Sequence, residues 1–387
     1  MNINPVKGFN DFLGEEAQKR EKITEVIKKH FALHGFEPAQ TPIIEREEFV
    51  VGENSSDDAV RDIYRLKDRG NRKLALRYEF TFQLKRIARN QKLPFKRYQI
   101  GPVFRDEPIK KGRTRQFIQC DADVIGSSIK DEAEILYMAT QILKELKIDA
   151  TVYINNRQLT NEILLESGID EKNWTQAIRE IDKLDKIPKK EVADNLQKIG
   201  AERILKIFEK DESFFKKYTY YSKILELKKY AESFGIKPVF QPSLSRGLSY
   251  YNGSVFEIWS KKLNCSICGG GSYLAGKIQS SGISLGFEPI FCLAKIKAEG
   301  PKVEIISVNS DERAISLAKK IRENEITSTL IFDKSIKKAL EYANSKKIPY
   351  TVLVGMKEIE KGKYKLKEMK TGKEEILEEA ELIKRLL

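Results

Sequence analysis

Histidine and cysteine are both scarce in this chain. His30 and His34 are the only histidines, and Cys120, Cys265, Cys268 and Cys292 the only cysteines, in 387 residues. Both histidines fall in one N-terminal helical pattern. A Ser-His-Asp or Cys-His triad would have to recruit one of them from that structural setting, and a His-rich metal site is excluded. Four cysteines are too few for a disulfide scaffold at this length. Cys265-Ser-Ile-Cys268 is a single C-x-x-C without the second pair of a four-ligand zinc site, so buried thiols are expected and no metal site is assigned. No run of about 18 apolar residues could span a membrane. Met1 to Pro5 leads into polar, charged sequence rather than a signal-peptide core, so the cytoplasm is the expected compartment. There is no internal repeat and no low-complexity tract.

What is abundant is charge. Lys and Arg number 70 against 57 Asp and Glu, a formal net charge of +13, and charged residues make up 33% of the chain. The lysines run along the whole sequence. That distribution suits a polyanionic partner, since basic surface releases counterions from phosphates, and it suits equally a lysine-rich solubilising surface. Hydrophobic residues at 41% are enough for a sizeable core, and the length predicts two or three domains.

The apolar spacing of Ile23, Val26, Ile27, Phe31 and Leu33 predicts a helix over 15–34, stopped at Gly35. Pro38 and Pro42 keep 36–45 extended. A strand over 74–77 runs into a helix near 81–89. Strands over 98–105 and 116–126 flank the basic turn Lys110-Lys-Gly-Arg-Thr-Arg115, the pattern of an antiparallel hairpin with a long tip. A helix follows over 131–146, then a strand over 151–155. From about 157 to 230 the pattern is helical and lysine-rich. Strands resume at 238–241 and 254–259, before two glycine-rich pieces at 268–271 and 281–286. After a linker-like stretch at 298–302, strands and helices alternate: 303–308, 311–324, 327–332, 335–346 and 350–354, then a charged C-terminal helix. This predicts a small α/β domain with a largely parallel sheet.

The chemistry concentrates in Phe104-Arg-Asp-Glu107, Arg113-Thr-Arg115 and Gln116-Phe117. Arginines around a loop can clamp a triphosphate, because guanidinium stays charged and grips phosphate oxygens in pairs. An adjacent aromatic can stack on a base, and a glutamate can accept from an exocyclic amine. A solvated basic hairpin would read the same way. Tyr250 and Tyr251 are open to a packing role, and Gly269–Gly271 to a plain turn.

These residues also carry a resemblance. Phe-Arg-x-Glu, a loop and Arg-x-Arg-Gln-Phe resemble motif 2 of the class II aminoacyl-tRNA synthetases. The continuation to Gly126 looks like the histidyl type, in a form close to archaeal and eukaryotic members. Lys7–Phe12 resembles the family's N-terminal signature and Gly35–Glu45 its motif 1. Leu76-Arg-Tyr-Glu-Phe-Thr81 resembles its amino-acid-binding segment. Ser245-Arg-Gly-Leu-Ser-Tyr-Tyr-Asn-Gly-Ser-Val-Phe-Glu257 resembles the histidyl signature. The C-terminal segment looks like the anticodon-binding domain, so the likeness covers essentially the whole chain.

The resemblance implies an α+β fold: a class II antiparallel sheet flanked by helices over 1–300, a helical insertion at 156–235, and an α/β anticodon-binding domain at 301–387. It implies a histidine–tRNA ligase that makes histidyl adenylate from histidine and ATP and passes histidine to the 3′ end of tRNA(His). Mg²⁺ would neutralise the phosphates, and a homodimer would form partly through Gly35–Glu45. By match to the motifs, Arg105 and Arg246 are catalytic, and Arg105, Glu107, Arg113, Phe117 and Arg246 bind ATP. Glu79 and Thr81 take the histidine α-ammonium; Gln119, Asp123, Tyr250 and Tyr251 line its side chain.

The sequence departs from the family at four places. Pro289 stands where motif 3 carries an arginine, Ser272 and Leu274 replace an arginine and an aspartate in the glycine-rich segment, and Ser249 replaces an aspartate. These predict losses on one side of the site. The alternative to a working ligase is therefore an impaired relative acting as a regulatory or tRNA-binding accessory protein.

Overall fold

The computed structural model describes residues 1–387 except 53–57, 110–113, 185–186, 247–249, 264, 298–299 and 357–361, and gives no side-chain detail for 58, 59 and 265. Two compact units are present. One comprises Met1–Asp11 with Ile23–Ile296, the other Phe12–Lys22 with Lys297–Leu387.

The larger unit is built on a sheet of eight strands. In chain order these are β1 (Glu37–Pro38), then β5 (Phe95–Phe104), β6 (Gln116–Ile125), β7 (Thr151–Asn156), β8 (Val239–Phe240), β9 (Tyr251–Ser260), β10 (Cys265–Ala275) and β11 (Ile278–Gly286). The intervening β2 (Ile44–Arg46), β3 (Arg65–Lys67) and β4 (Lys73–Leu76) form a separate antiparallel sheet ordered β2-β4-β3. The large sheet runs β1-β5-β6-β11-β10-β9-β7-β8. Its five central pairings are antiparallel, and only β1–β5 and β7–β8 at the edges are parallel.

Strand side chains alternate between faces. One face of the sheet puts Cys120, Ala122, Val124, Ile283, Leu285 and Phe256 into the main core, against Ile135, Ala139 and Ile142 of the helix Ile129–Glu145 and Ile23, Ile27 and Phe31 of the helix Gly14–Leu33. The helix Ile129–Glu145 starts where the backbone N–H of Ser128 donates to Asp131 Oδ2 at 2.7 Å, half of a capping box. His30 is structural: its Nε2 lies 2.8 Å from Glu145 Oε2, and His34 Nδ1 lies 2.9 Å from the His30 carbonyl oxygen. Between β7 and β8 the described residues form helices, the longer ones at Arg157–Glu166, Trp174–Ile181, Lys189–Gln197 and Tyr221–Ser233.

β10 and β11 occupy the glycine-rich pieces that the sequence reading left unassigned. Glycine is a poor strand former, and here the close approach of other groups, described below, explains why it is used.

The smaller unit has a five-stranded sheet ordered β13-β12-β14-β15-β16, from β12 (Val303–Val308), β13 (Ser328–Ile331), β14 (Tyr350–Gly355), β15 (Lys363–Glu368) and β16 (Glu374–Glu378). β12 is parallel to β13 and β14, whereas β14–β15 and β15–β16 are antiparallel. The expected largely parallel sheet is thus corrected to a mixed one. The last two strands are masked in the sequence by lysines and glutamates that alternate with apolar residues, with only Tyr364 and Leu366 among β15's residues turned into the core.

Candidate active site

The face of the large sheet opposite the main core carries the chemistry. Register places Arg97 opposite Asp123, Gln99 opposite Asp121 and Gly101 opposite Gln119 across β5 and β6. β11 adds Gly282 beside Asp123 and Ser284 beside Asp121. β10 adds Gly269 beside Ser284 and Gly271 beside Gly282, and β9 sets Glu257 beside Gly269 and Tyr251 beside Tyr273. One polar strip thus crosses five strands.

At the β5–β6 end, Arg105 extends from β5. Its Nε donates to the Tyr78 carbonyl oxygen at 3.1 Å and its Nη2 to Gln119 Oε1 at 3.5 Å. Its guanidinium lies 5.2 Å from the Phe117 ring centroid and 3.7 Å from Glu107 Oε1. Gln119 Nε2 donates to Ser284 Oγ at 2.8 Å, which carries the chain of contacts onto β11. The hairpin is closed at its base by Gly8, whose carbonyl oxygen accepts from the N–H of Arg115 at 3.0 Å and of Gln116 at 3.2 Å. Gly8 has a φ of +91°, and a Cβ there would sit 2.8 Å from the Arg115 side chain, so glycine is required twice over. Arg113 lies outside the described residues.

At the β9–β10 end, Arg246 Nη1 donates to Glu257 Oε1 at 2.8 Å, and Trp259 Nε1 donates to Glu257 Oε2 at 2.8 Å. The Arg246 carbonyl oxygen accepts from Arg157 Nη2 at 2.9 Å, from the first residue of the helical segment. The guanidinium packs against Gly269, where any Cβ would overlap it. Burial works against the charge, yet Tyr251 and Glu257 outweigh it and hold the Arg246 pKa above its ordinary value. The Gly269–Gly271 run is thus a strand that lets side chains lie on bare backbone, and the plain-turn reading is excluded.

Between these ends are the tyrosines and acids. Tyr250 and Tyr251 have ring centroids 4.7 Å apart, and Tyr250 and Tyr273 5.6 Å apart. Burial, then the charge of Glu79, push the Tyr250 hydroxyl well above its usual pKa. Glu79 is buried in the turn between β4 and the helix Thr81–Ile87, which Thr81 opens. Asp123 is buried and accepts from the Tyr273 hydroxyl at 2.5 Å, with Arg97 Nη2 at 2.8 Å from its other oxygen. Burial raises the Asp123 pKa against the pull of both partners. Asp121 is pushed up to about 7, by burial and then by the charge of Asp123.

Arg105, Glu107, Phe117, Gln119, Asp123, Arg246, Tyr250 and Tyr251 therefore belong to one strip. Arg97, Asp121, Arg157, Glu257 and Ser284 were not found from sequence. Their only signal is strand parity: once β5 and β6 are paired, Arg97 and Asp121 must share a face with Asp123. Arg157 lies in a helix and had no such signal.

The four departures from the family do not all fall on the strip. Ser272 falls between Gly271 and Tyr273 and faces the helix Ile129–Glu145, away from the strip, where Ser254 and Ser272 hydrogen-bond buried Glu132. Leu274 is 48% exposed at the end of β10. Pro289 is the third residue of the helix Phe287–Leu293. First-turn N–H groups have no intrahelical acceptor, so proline costs the helix little there, though it brings no charge in place of the arginine of motif 3. Ser249 lies outside the described residues. Cys268 is buried, and its thiol pKa is pushed up by that burial, the condition of an inert thiol.

Among the described residues no three His, Cys, Asp or Glu side chains converge as a metal cage. None of the helices among the described residues is long and apolar enough to cross a membrane.

Comparison with known proteins follows the same lines. Residues 8–290 match the Histidyl-tRNA synthetase family and residues 302–387 the Anticodon binding domain family. Histidine–tRNA ligase 1 of Bacillus anthracis is 33% identical over 416 residues, covering 97% of each chain. Histidine–tRNA ligase of Clostridium tetani is 33% identical over 431 residues, covering 97% of this chain and 96% of its own. Both relatives are bacterial and lend no support to the archaeal and eukaryotic likeness expected from 116–126. The crystal structure of histidyl-tRNA synthetase from Nostoc sp. PCC 7120 superposes with a TM-score of 0.85 at 26% identity over the full length of both chains. An ATP phosphoribosyltransferase regulatory subunit/histidyl-tRNA synthetase from Bacillus halodurans, at 19% identity and a TM-score of 0.75, shares the fold. With its fold, its polar strip and a family match over most of its length, the chain belongs to the histidyl-tRNA synthetase family.

Proposed function

We propose that this protein is a histidine–tRNA ligase: it joins histidine to ATP as histidyl adenylate, releasing pyrophosphate, and passes histidine to the 3′ end of tRNA(His), releasing AMP. The observation that carries this is the placement of two guanidinium groups on one sheet face. Arg105 reaches Gln119 on β6, and Arg246 lies on Gly269 of β10. Those strands are separated by β11 alone, so the two cations flank a gap one strand wide.

That gap suits an α-phosphate attacked by a carboxylate. The histidine carboxylate oxygen attacks the α-phosphorus, and the bond to the bridging oxygen of pyrophosphate breaks. No general base is required, because the nucleophile is already ionised. Charge gathers on the phosphoryl oxygens, where Arg105 and Arg246 stabilise it without rearranging, each being already fixed by a carbonyl or carboxylate partner. Phe117 stacks on adenine, with Glu107 and Arg113 beside the nucleotide. Glu79 and Thr81 take the α-ammonium. Gln119, Asp123, Tyr250 and Tyr251 line the side-chain pocket, where a carboxylate selects for an imidazole N–H. Mg²⁺ bound with ATP would supply positive charge to its phosphates.

The boundary between a catalytic region over 1–300 and an anticodon-binding region over 301–387 fits the two family matches. A homodimer through 35–45 is favoured by Ile43 and Ile44, which are 41% and 49% exposed there. Cytoplasmic placement accords with a tRNA substrate.

Histidine-dependent exchange of pyrophosphate into ATP tests the reading. The protein should exchange with histidine, and Arg246→Ala should fold but lose about 10²–10³-fold in rate. Absence of exchange in the folded wild-type protein would favour the non-catalytic accessory role; unchanged exchange in the variant would remove Arg246 from the mechanism.

A further inference from the structure

Arg97 has no role in the reading above, yet it is the largest fully buried side chain described. It projects from β5 directly opposite Asp123 of β6, on the substrate face of the sheet. Its exposure is 0%, and Nη2 is 2.8 Å from Asp123 Oδ2. Among the described residues none of its Nε, Nη1 and Nη2 has a hydrogen-bond partner, so the contact with Asp123 is an ion pair. Burying a guanidinium so incompletely satisfied is costly, and an apolar pair in place of Arg97 and Asp123 together would be cheaper. Such a group is tolerable only while its carboxylate partner is ionised and fixed.

The surroundings of Asp123 make the same point from the other side. From β10 the Tyr273 hydroxyl donates to Oδ1 at 2.5 Å. On β11, Gly282 leaves no side chain where a Cβ would overlap the carboxylate. Tyr251 on β9 and Asp121 on β6 itself are the other titratable groups that face it. Arg97 is the only cation among these. It is therefore the only group here that favours the charged form of Asp123 by charge rather than by a hydrogen bond.

We infer that Arg97 is a positioning residue for substrate selection: paired with Asp123, it fixes the charge and direction of that carboxylate at the histidine side-chain end of the cleft. This rests on the proposed ligase activity for its consequence, but not for its first step. Arg97 does not touch the substrate in this assignment. It acts through Asp123, which must stay ionised to accept an imidazole N–H.

Two measurements on the full chain separate the steps. Carbon-13 NMR titration of the Asp123 carboxyl, assigned by Asp123→Asn, reads the pairing whether or not the protein is a ligase. Arg97→Met should move that titration upward by about one pH unit or more, and Arg97→Lys should restore most of the difference. Histidine-dependent pyrophosphate exchange reads the consequence. At pH 6.5, Arg97→Met should raise KM for histidine about tenfold, with KM for ATP within about twofold. The defect should shrink at pH 8.5, where the carboxyl ionises again. If Arg97→Met does not fold, Arg97→Gln takes its place in both measurements, because glutamine removes the charge while keeping a polar side chain of similar reach. An unmoved Asp123 titration would overturn the inference. So would equal losses for histidine and ATP that do not depend on pH. Wild-type protein without exchange would refute the ligase reading, while the titration would still decide the role of Arg97.

Discussion

Arg246 owes its position to atoms that are missing. Gly269 supplies bare backbone beneath the guanidinium, while Glu257 holds one nitrogen from β9. A methyl group at 269 cannot be accommodated without moving Arg246, because the overlap is with the planar head of the side chain. Gly269→Ala should therefore reduce exchange by about 10²-fold or more, approaching the loss from Arg246→Ala, while thermal unfolding changes little. Activity within a fewfold of wild type would show that Arg246 is not needed where it lies. A second residue-scale expectation concerns Glu132. Burial pushes its carboxyl to about 7 from an ordinary 4.5, against hydrogen bonds from Ser254 and Ser272. A raised folded-state pKa means that folding favours the protonated form. The protein should lose stability as pH rises from about 4.5 to 7, and the deficit should stay constant above that. Glu132→Gln should thus raise the unfolding temperature at pH 8, by the equivalent of about 1–3 kcal/mol, and have little effect at pH 4.5. A lower unfolding temperature at pH 8 would mean that the carboxylate is used.

At the scale of elements, the sheet determines which side chains meet. The helices Gly14–Leu33 and Ile129–Glu145 and the strands β5 and β6 were legible from periodicity and turn chemistry, and each begins within a few residues of its expected bound. β10 and β11 were not, because their glycines carry no strand signal; their reason lies in Tyr251 and Asp123, from other strands, and in Arg246, from the segment before β9. For the same reason the motifs disclosed Arg105, Gln119 and Arg246 but not Arg97, Asp121 or Ser284, whose place depends on register. Parity also reverses the sense of Ser272, which belongs to the helix-facing side of β10. Pro289 gives the element-scale prediction. In the first turn of Phe287–Leu293 it should be exchangeable, so Pro289→Ala should leave stability within about 1 kcal/mol as judged by urea unfolding. A larger loss would show that the fixed backbone angle of proline shapes that helix.

For the whole molecule, the surplus of cations matters most. A formal net charge of +13 distributed along the chain favours a long polyanion over a compact one. Binding of tRNA should weaken steeply as salt rises, with a linear, negative dependence of log affinity on log salt. Affinity unchanged between 50 and 200 mM salt would assign the lysines to solubility alone. Electrostatics of this kind bring many RNAs to the surface. Selection then falls to the pocket and to the C-terminal unit.

The central claim, that this fold joins histidine to tRNA(His), is tested most directly by incubating the purified protein with ATP, Mg²⁺, labelled histidine and tRNA(His), and measuring label on the RNA. The account predicts label ester-linked to the 3′-terminal ribose, dependent on ATP and abolished in Arg246→Ala. Folded wild-type protein that leaves the tRNA unlabelled at saturating substrates would contradict it.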